Sequence, residues 1–122
     1  MQTGRVVGAL FLSGYVALLF GWNTDPLFYL HLALHEAGHI FALPFGQVVH
    51  VAGGSLLQWT VPLVFLAYFT FKRNWFAVAT MLIWFGASLR NSVPYIADAK
   101  AKQLPLLAEN LIHDWNFLLI QF

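Results

Sequence analysis

The chain has 122 residues, of which 60% are hydrophobic and only 9% are charged, and its formal net charge is +1. A soluble domain usually carries about 25% charged residues; so few charges cannot solvate a globular surface, whereas a lipid-facing surface requires almost none. The composition therefore predicts an integral membrane protein, and the small net charge argues against a nucleic-acid-binding protein. Cysteine is absent, which excludes disulfides and thiolate metal sites.

Four apolar segments predict membrane-spanning helices, each of which needs about 20 residues. We read the first as a retained helix, because its apolar part is longer than the roughly 7–15 residues of a signal peptide. An Asn-Thr-Asp-Pro turn, typical of a helix start, separates the first segment from the second. The four segments cover residues 6–22, 27–46, 55–71 and 75–97.

Glycine and proline mark the predicted breaks between these helices. Residues 46–54, GQVVHVAGG, are predicted to form a turn-rich connection in which Gly53 and Gly54 let the backbone approach another group closely. Pro94 is predicted to bend or unwind the fourth helix near its end.

The tail, residues 106–122, is amphipathic, with one polar stripe made of Glu109, His113 and Asn116. This pattern predicts a helix that lies at the membrane surface or folds against the bundle. The whole chain is thus predicted to be a single all-α domain, with about four transmembrane helices and a short amphipathic C-terminal helix. We expect it to be a multi-pass protein of the bacterial cytoplasmic (inner) membrane, in contact with the lipid bilayer.

The second segment contains HLALHEAGHIFAL, in which ionisable side chains interrupt an apolar stretch. His35 and His39 are four residues apart, so on a helix both imidazoles leave the same face one turn apart. Two such nitrogens can bind one ion, and zinc suits imidazole at about 2.0–2.1 Å. Glu36 lies about 100° round the helix, where it can take a proton from a metal-activated water. A single histidine in a membrane helix is commonly a packing residue, but ionisable groups this deep in an apolar span favour a functional site.

HEAGH within a membrane helix is followed a few dozen residues later by Asn91-x-x-Pro94 and an aspartate, Asp98. This order of motifs resembles the site-2 protease class of intramembrane zinc metalloproteases, over about residues 27–99. The resemblance implies a helical membrane fold and a zinc-dependent peptidase activity.

Residue by residue, the resemblance implies that His35 and His39 bind Zn²⁺, that Glu36 is the general base, and that Asp98 is the third ligand. The family usually reads Leu-Asp-Gly at the third ligand, whereas Asp98 lies between two alanines. His113 and Asp114 in the tail therefore remain alternative third ligands or partners that orient an imidazole.

The sequence thus predicts a minimal intramembrane zinc metallopeptidase, whose substrate is a membrane-spanning segment of another protein. Asn91, Gly53 and Gly54 are candidates for positioning that substrate. Two alternatives stay open: a non-catalytic accessory subunit of a larger membrane complex that keeps a metalloprotease-like scaffold, and a bundle whose histidines ligate haem or another pigment.

Overall fold

The computed structural model describes residues 2–108 and 111–122, and all the regular structure in these ranges is helical. A 3-10 turn, Leu43–Phe45, joins the second α-helix to the third. The predicted all-α fold is confirmed for this part of the chain. The helices are α1 Gln2–Gly21, α2 Phe28–Ala42, α3 Gln47–Phe71, α4 Trp75–Ala97 and α5 Asp114–Gln121.

Three of these helices, α1, α3 and α4, are long and apolar enough to cross a membrane. Large apolar side chains are exposed on them, as lipid contact requires; Phe11 and Phe71 are 77% and 87% exposed. Helix α2 has 15 residues, a length of about 22 Å at 1.5 Å per residue, which is less than a hydrocarbon core of about 30 Å. The described ranges therefore contain three candidate spans, where the sequence predicted four.

The connections differ from the prediction more than the helices do. Residues 47–54, predicted as a turn, form the first two turns of α3, and the chain reverses instead at Gly46, whose φ of +92° suits glycine. Helix α4 continues through Pro94, which removes a single backbone donor near the helix end. The tail helix begins only at Asp114, and Glu109 of the predicted polar stripe lies outside the described residues.

Helices α2 and α3 touch backbone to backbone at two glycines. A Cβ added at Gly38 would overlap the carbonyl oxygen of Gly53, and one added at Gly53 would lie 2.5 Å from the Gly38 oxygen and from the Ala42 Cβ. Small residues that let helices approach this closely are a common packing device in membranes. Helix α4 packs against α3, α1 contacts α4, and α5 lies against α3.

The interior of the bundle is rich in polar side chains, whereas its surface is apolar. This is the reverse of the distribution in a soluble protein, where buried polar residues are the exception. The buried apolar residues in the described ranges are mostly small: Leu19, Ala42, Val51, Ala87 and Ala99. The buried polar and charged residues are His31, Ser55, Gln58, Ser88, Ser92, Asp98, His113 and Asp114.

One interior network centres on Asp25, in the connection before α2. Its carboxylate accepts hydrogen bonds from His31 Nδ1 at 2.8 Å, Asn91 Nδ2 at 3.2 Å and the Leu27 backbone N–H at 3.0 Å. Asn91 in turn accepts a hydrogen bond from Gln58 of α3 at 3.2 Å. His31 belongs to α2, Asn91 to α4 and Gln58 to α3. The network therefore links three helices and fixes how they meet.

We predict that Asp25→Ala destabilises the bundle by about 2–4 kcal/mol, because it leaves the donors of His31 and Asn91 buried without their anionic acceptor. Asp25→Asn keeps an acceptor oxygen and should cost less. Unfolding of the purified protein by SDS in mixed micelles, followed by circular dichroism, measures both. A change of less than about 0.5 kcal/mol in Asp25→Ala, the range of a neutral surface substitution, would show that the network contributes little.

Candidate metal centre

His35 and His39 meet on the face of α2 that packs against α3. Their Nε2 atoms lie 3.1 Å apart and their ring planes are inclined at 85°. Both side chains are 16% exposed. The four-residue spacing that predicted a shared helix face has therefore brought the two Nε2 nitrogens to one point.

His50 of α3 holds the ring of His39 in place. His39 Nδ1–H donates to the carbonyl oxygen of His50 at 2.8 Å, and His50 Nδ1–H donates to the carbonyl oxygen of His39 at 2.8 Å. The 3-10 turn leaves the His39 carbonyl oxygen free to accept this bond, because the Leu43 N–H donates to the carbonyl oxygen of Ile40 and not to that of His39. The hydrogen on Nδ1 leaves the Nε2 lone pair of a neutral His39 directed at His35.

Asp114, the first residue of α5, adds a carboxylate to the pair. Its Oδ2 lies 2.9 Å from His35 Nε2 and 3.2 Å from His39 Nε2. Burial alone raises the pKa of the Asp114 carboxyl, but the neighbouring imidazoles outweigh burial and leave that pKa below its ordinary value. The carboxyl is therefore an anion.

The three atoms form a nearly equilateral triangle that could hold a metal ion. Three ligands at about 2.0–2.1 Å from a tetrahedral zinc lie about 3.3–3.4 Å apart, close to the observed 2.9–3.2 Å. With neutral rings, His39 Nε2 and Asp114 Oδ2 present lone pairs to each other. Either a proton on His39 or a cation bound by all three groups removes that repulsion.

Gly54 provides the space in which the imidazoles meet. A Cβ at this position would lie 2.6 Å from His39 Nε2 and 2.8 Å from both His35 Nε2 and His35 Cε1. Any other residue would displace the rings. Gly54 thus lines the site directly, while Gly53 packs on the backbone of α2.

Asp98, predicted as the third ligand, lies elsewhere and makes other contacts. It ends α4, and its carboxylate accepts hydrogen bonds from the backbone N–H groups of Gln103 at 2.8 Å and Leu104 at 2.9 Å. These two donors hold the pKa of the Asp98 carboxyl below its ordinary value. The structure brings Asp114, one of the two alternatives, to the imidazoles in its place, while His113 faces Asp98.

The other predicted site residues, Glu36, Asn91 and Gly53, lie outside the cluster of His35, His39 and Asp114. Glu36 follows His35 on α2 and is exposed. Asn91 is engaged at both ends of its amide, by Asp25 and Gln58, and Gly53 is covered by α2. These contacts make Asn91 and Gly53 part of the framework.

The sequence does not identify His50 as a functional residue, because residues 46–54 are predicted to form a turn-rich connection. The structure places His50 in the first turn of α3, on which Val51, Ser55, Gln58 and Pro62 recur at helical spacing and are buried on one face. Ser55, Gln58 and Pro62 are not apolar, so the sequence does not display this face as a hydrophobic period.

Comparisons with known proteins identify no relative of this chain. No protein-family model, no curated protein and no solved structure matches it. The resemblance to the site-2 protease class therefore rests on the motif residues, and the function must be inferred from the geometry of the site.

We predict that Gly54→Ala weakens binding of a divalent cation by about 10–100-fold, the usual cost of disturbing the groups that orient metal ligands. The control is Gly86→Ala in α4, where an added Cβ meets nothing within 4 Å. Titration with Co²⁺, followed by its visible absorption, measures both affinities. Equal affinities in the two variants would show that Gly54 does not shape a metal site.

Proposed function

We propose that this protein is a minimal intramembrane zinc metallopeptidase of the site-2 protease type. His35, His39 and Asp114 bind the zinc ion and Glu36 is the general base. The observation that carries the proposal is the triangle of His35 Nε2, His39 Nε2 and Asp114 Oδ2, with sides of 2.9–3.2 Å.

The donor set favours zinc among the common metals. Two imidazole nitrogens and one carboxylate oxygen are the ligands of several catalytic zinc sites, which keep a fourth position for water. The Nδ1–H of His39 is held by a backbone carbonyl, which is how proteins usually fix the orientation of a ligating histidine. The same distances argue against haem, because nitrogens 3.1 Å apart leave no space for a porphyrin between them.

The membrane setting is part of the proposal. We take α2 as a fourth, short span that crosses with the 3-10 turn and a locally thinned bilayer, in the bacterial cytoplasmic membrane. Its close packing on α3 and its bonds into the Asp25 network supply the protein environment that ionisable side chains need in lipid.

The residues of the chain divide the reaction among them. Zinc bound at this site would polarise the attacking water and stabilise negative charge on the substrate carbonyl oxygen. Glu36 accepts the proton of that water and then delivers it to the leaving amine. The substrate is a membrane-spanning segment that is locally unwound, because an intact helix hydrogen-bonds its own carbonyl groups.

We predict about one zinc ion per chain in protein purified from detergent extracts, measured by plasma mass spectrometry. His39→Ala and Asp114→Ala should lose the metal, because each removes one corner of the triangle. Glu36→Gln should retain it, since Glu36 is not a ligand. A wild-type protein that stays metal-free after dialysis against micromolar zinc would refute the zinc site, and the contact between His39 and Asp114 would then be an imidazolium–carboxylate pair.

We predict that Glu36→Gln lowers peptide-bond cleavage by about 10²–10⁴-fold, the usual contribution of a general base. The assay uses single-span segments with a central Gly-Gly or Asn-Pro interruption, reconstituted with the zinc-loaded enzyme in lipid vesicles and analysed by mass spectrometry. Equal cleavage by both proteins would exclude Glu36 as the base. Zinc binding without cleavage of any segment would instead favour the non-catalytic accessory subunit.

A further inference from the structure

The turn that follows α4 is organised by a single carboxylate. Asp98 Oδ1 accepts the backbone N–H of Gln103, and Asp98 Oδ2 accepts that of Leu104. The Asp98 carbonyl oxygen also accepts the backbone N–H of Lys102 at 2.8 Å. Asp98 thus closes the chain into a compact turn at the end of α4, and this turn directs the tail back towards the bundle.

His113 connects that turn to α5. Its Nδ1 accepts the backbone N–H of Asn116 at 3.3 Å and so caps the helix. A neutral ring that accepts at Nδ1 carries its hydrogen on Nε2. This Nε2 is buried and lies 3.4 Å from Asp98 Oδ2, a close polar contact whose geometry is not that of a hydrogen bond. The ring is 5% exposed and stacks on Tyr95, with centroids 4.5 Å apart and planes inclined at 8°.

A further hydrogen bond ties α5 to the same turn, and an aromatic contact ties it to α3. Asn116 Nδ2 donates to the carbonyl oxygen of Ala99 at 2.8 Å. Trp115 packs on Trp59 of α3 at a centroid distance of 5.9 Å. An isolated helix of eight residues is not stable, so α5 depends on these contacts for its position.

We propose that Asp98 and His113 form a latch that positions Asp114 in the metal centre. The latch holds the start of α5, and Asp114 is the next residue after His113, so the closed latch places the Asp114 carboxylate at the imidazoles. Asp98 is then a positioning residue and does not bind the metal. The consequence for metal affinity rests on the zinc site proposed above, whereas the docking of α5 does not.

The proposal also gives the tail a regulatory role at the site. The third ligand lies on a short terminal helix, while the other two lie on a helix packed into the bundle. Opening the latch removes one ligand of three and leaves the imidazoles in place. The tail therefore acts as a strap whose docking sets the affinity of the site for its metal.

The first experiment tests the latch without metal. Hydrogen exchange of the full-length protein in EDTA, read by mass spectrometry, compares wild type with Asp98→Asn. We expect exchange to rise about tenfold or more in peptides that cover residues 103–104 and α5, and to stay unchanged in α2 and α3. Lys100→Gln, at an exposed position two residues further on, should behave as wild type. Wild-type exchange in Asp98→Asn would overturn the latch.

A second variant tests whether His113 itself holds α5, since Asp98→Asn could loosen only the turn after α4. His113→Phe can keep the aromatic stack on Tyr95 but loses both the cap of α5 and the contact with Asp98. We expect the same increase of exchange in α5 with little change at residues 103–104. An unchanged α5 in this variant would refute the role of His113.

The second experiment uses Co²⁺ and separates a positioning residue from a ligand. Asp98→Asn should weaken Co²⁺ binding about tenfold or more, yet at saturation its visible absorption bands should match those of wild type. Asp114→Asn should change the bands, because it alters the ligand set. The reverse pattern would make Asp98 the ligand and overturn the proposal. Failure of every protein to bind Co²⁺ would refute the metal site, while hydrogen exchange would still decide whether the latch exists.

Discussion

The architecture depends on the contact between the backbones of Gly38 and Gly53. A side chain at either position would separate α2 from α3, and the reciprocal hydrogen bonds of His39 and His50 can form only at the present separation. Lipid supplies no hydrophobic force between apolar helices, so close packing and interhelical hydrogen bonds must hold the bundle together. The glycine contact provides the close packing and permits the hydrogen bonds between α2 and α3. The imidazoles are therefore positioned by packing that lies beside the site and not within it.

The polar interior follows from the same constraint. Polar groups on the outside of a membrane bundle would meet hydrocarbon, so they are gathered inside, where other polar groups can bond to them; Gln58, Ser88 and Ser92 are hydrogen-bonded in this way. The Asp25 network and the cluster of His35, His39 and Asp114 share helix α2, on which His31 and His35 are one turn apart. Asp25 anchors α2 to α4, and the glycines anchor it to α3. This double attachment keeps rigid the helix that carries two of the three candidate ligands.

The sequence predicted the parts of the structure that local rules determine. Spacing along one helix was enough to place His35 and His39 together, and apolar length was enough to predict α1 and α4. The motif resemblance favoured Asp98 as the third ligand over His113 and Asp114, because the position of Asp114 depends on how the chain folds after α4, which local rules do not determine. The glycine pair in α3 predicts a turn, but glycine favours both turns and close helix contacts, and only the tertiary structure separates the two.

Asp114 lies at the imidazoles in place of the predicted Asp98 for a physical reason. Asp98 is the residue that follows α4, where backbone N–H groups from the following turn hydrogen-bond its carboxylate, so its charge is stabilised without a cation. Asp114 faces two imidazoles at distances of 2.9–3.2 Å. Only a proton on His39 or a bound metal ion removes the repulsion between the lone pairs at these distances. The Asp98 carboxylate therefore organises the turn after α4, and the Asp114 carboxylate is the third member of the cluster with His35 and His39. In the proposed latch the position of Asp114 depends on Asp98, so a change at Asp98 would alter the His35–His39–Asp114 cluster without contacting it.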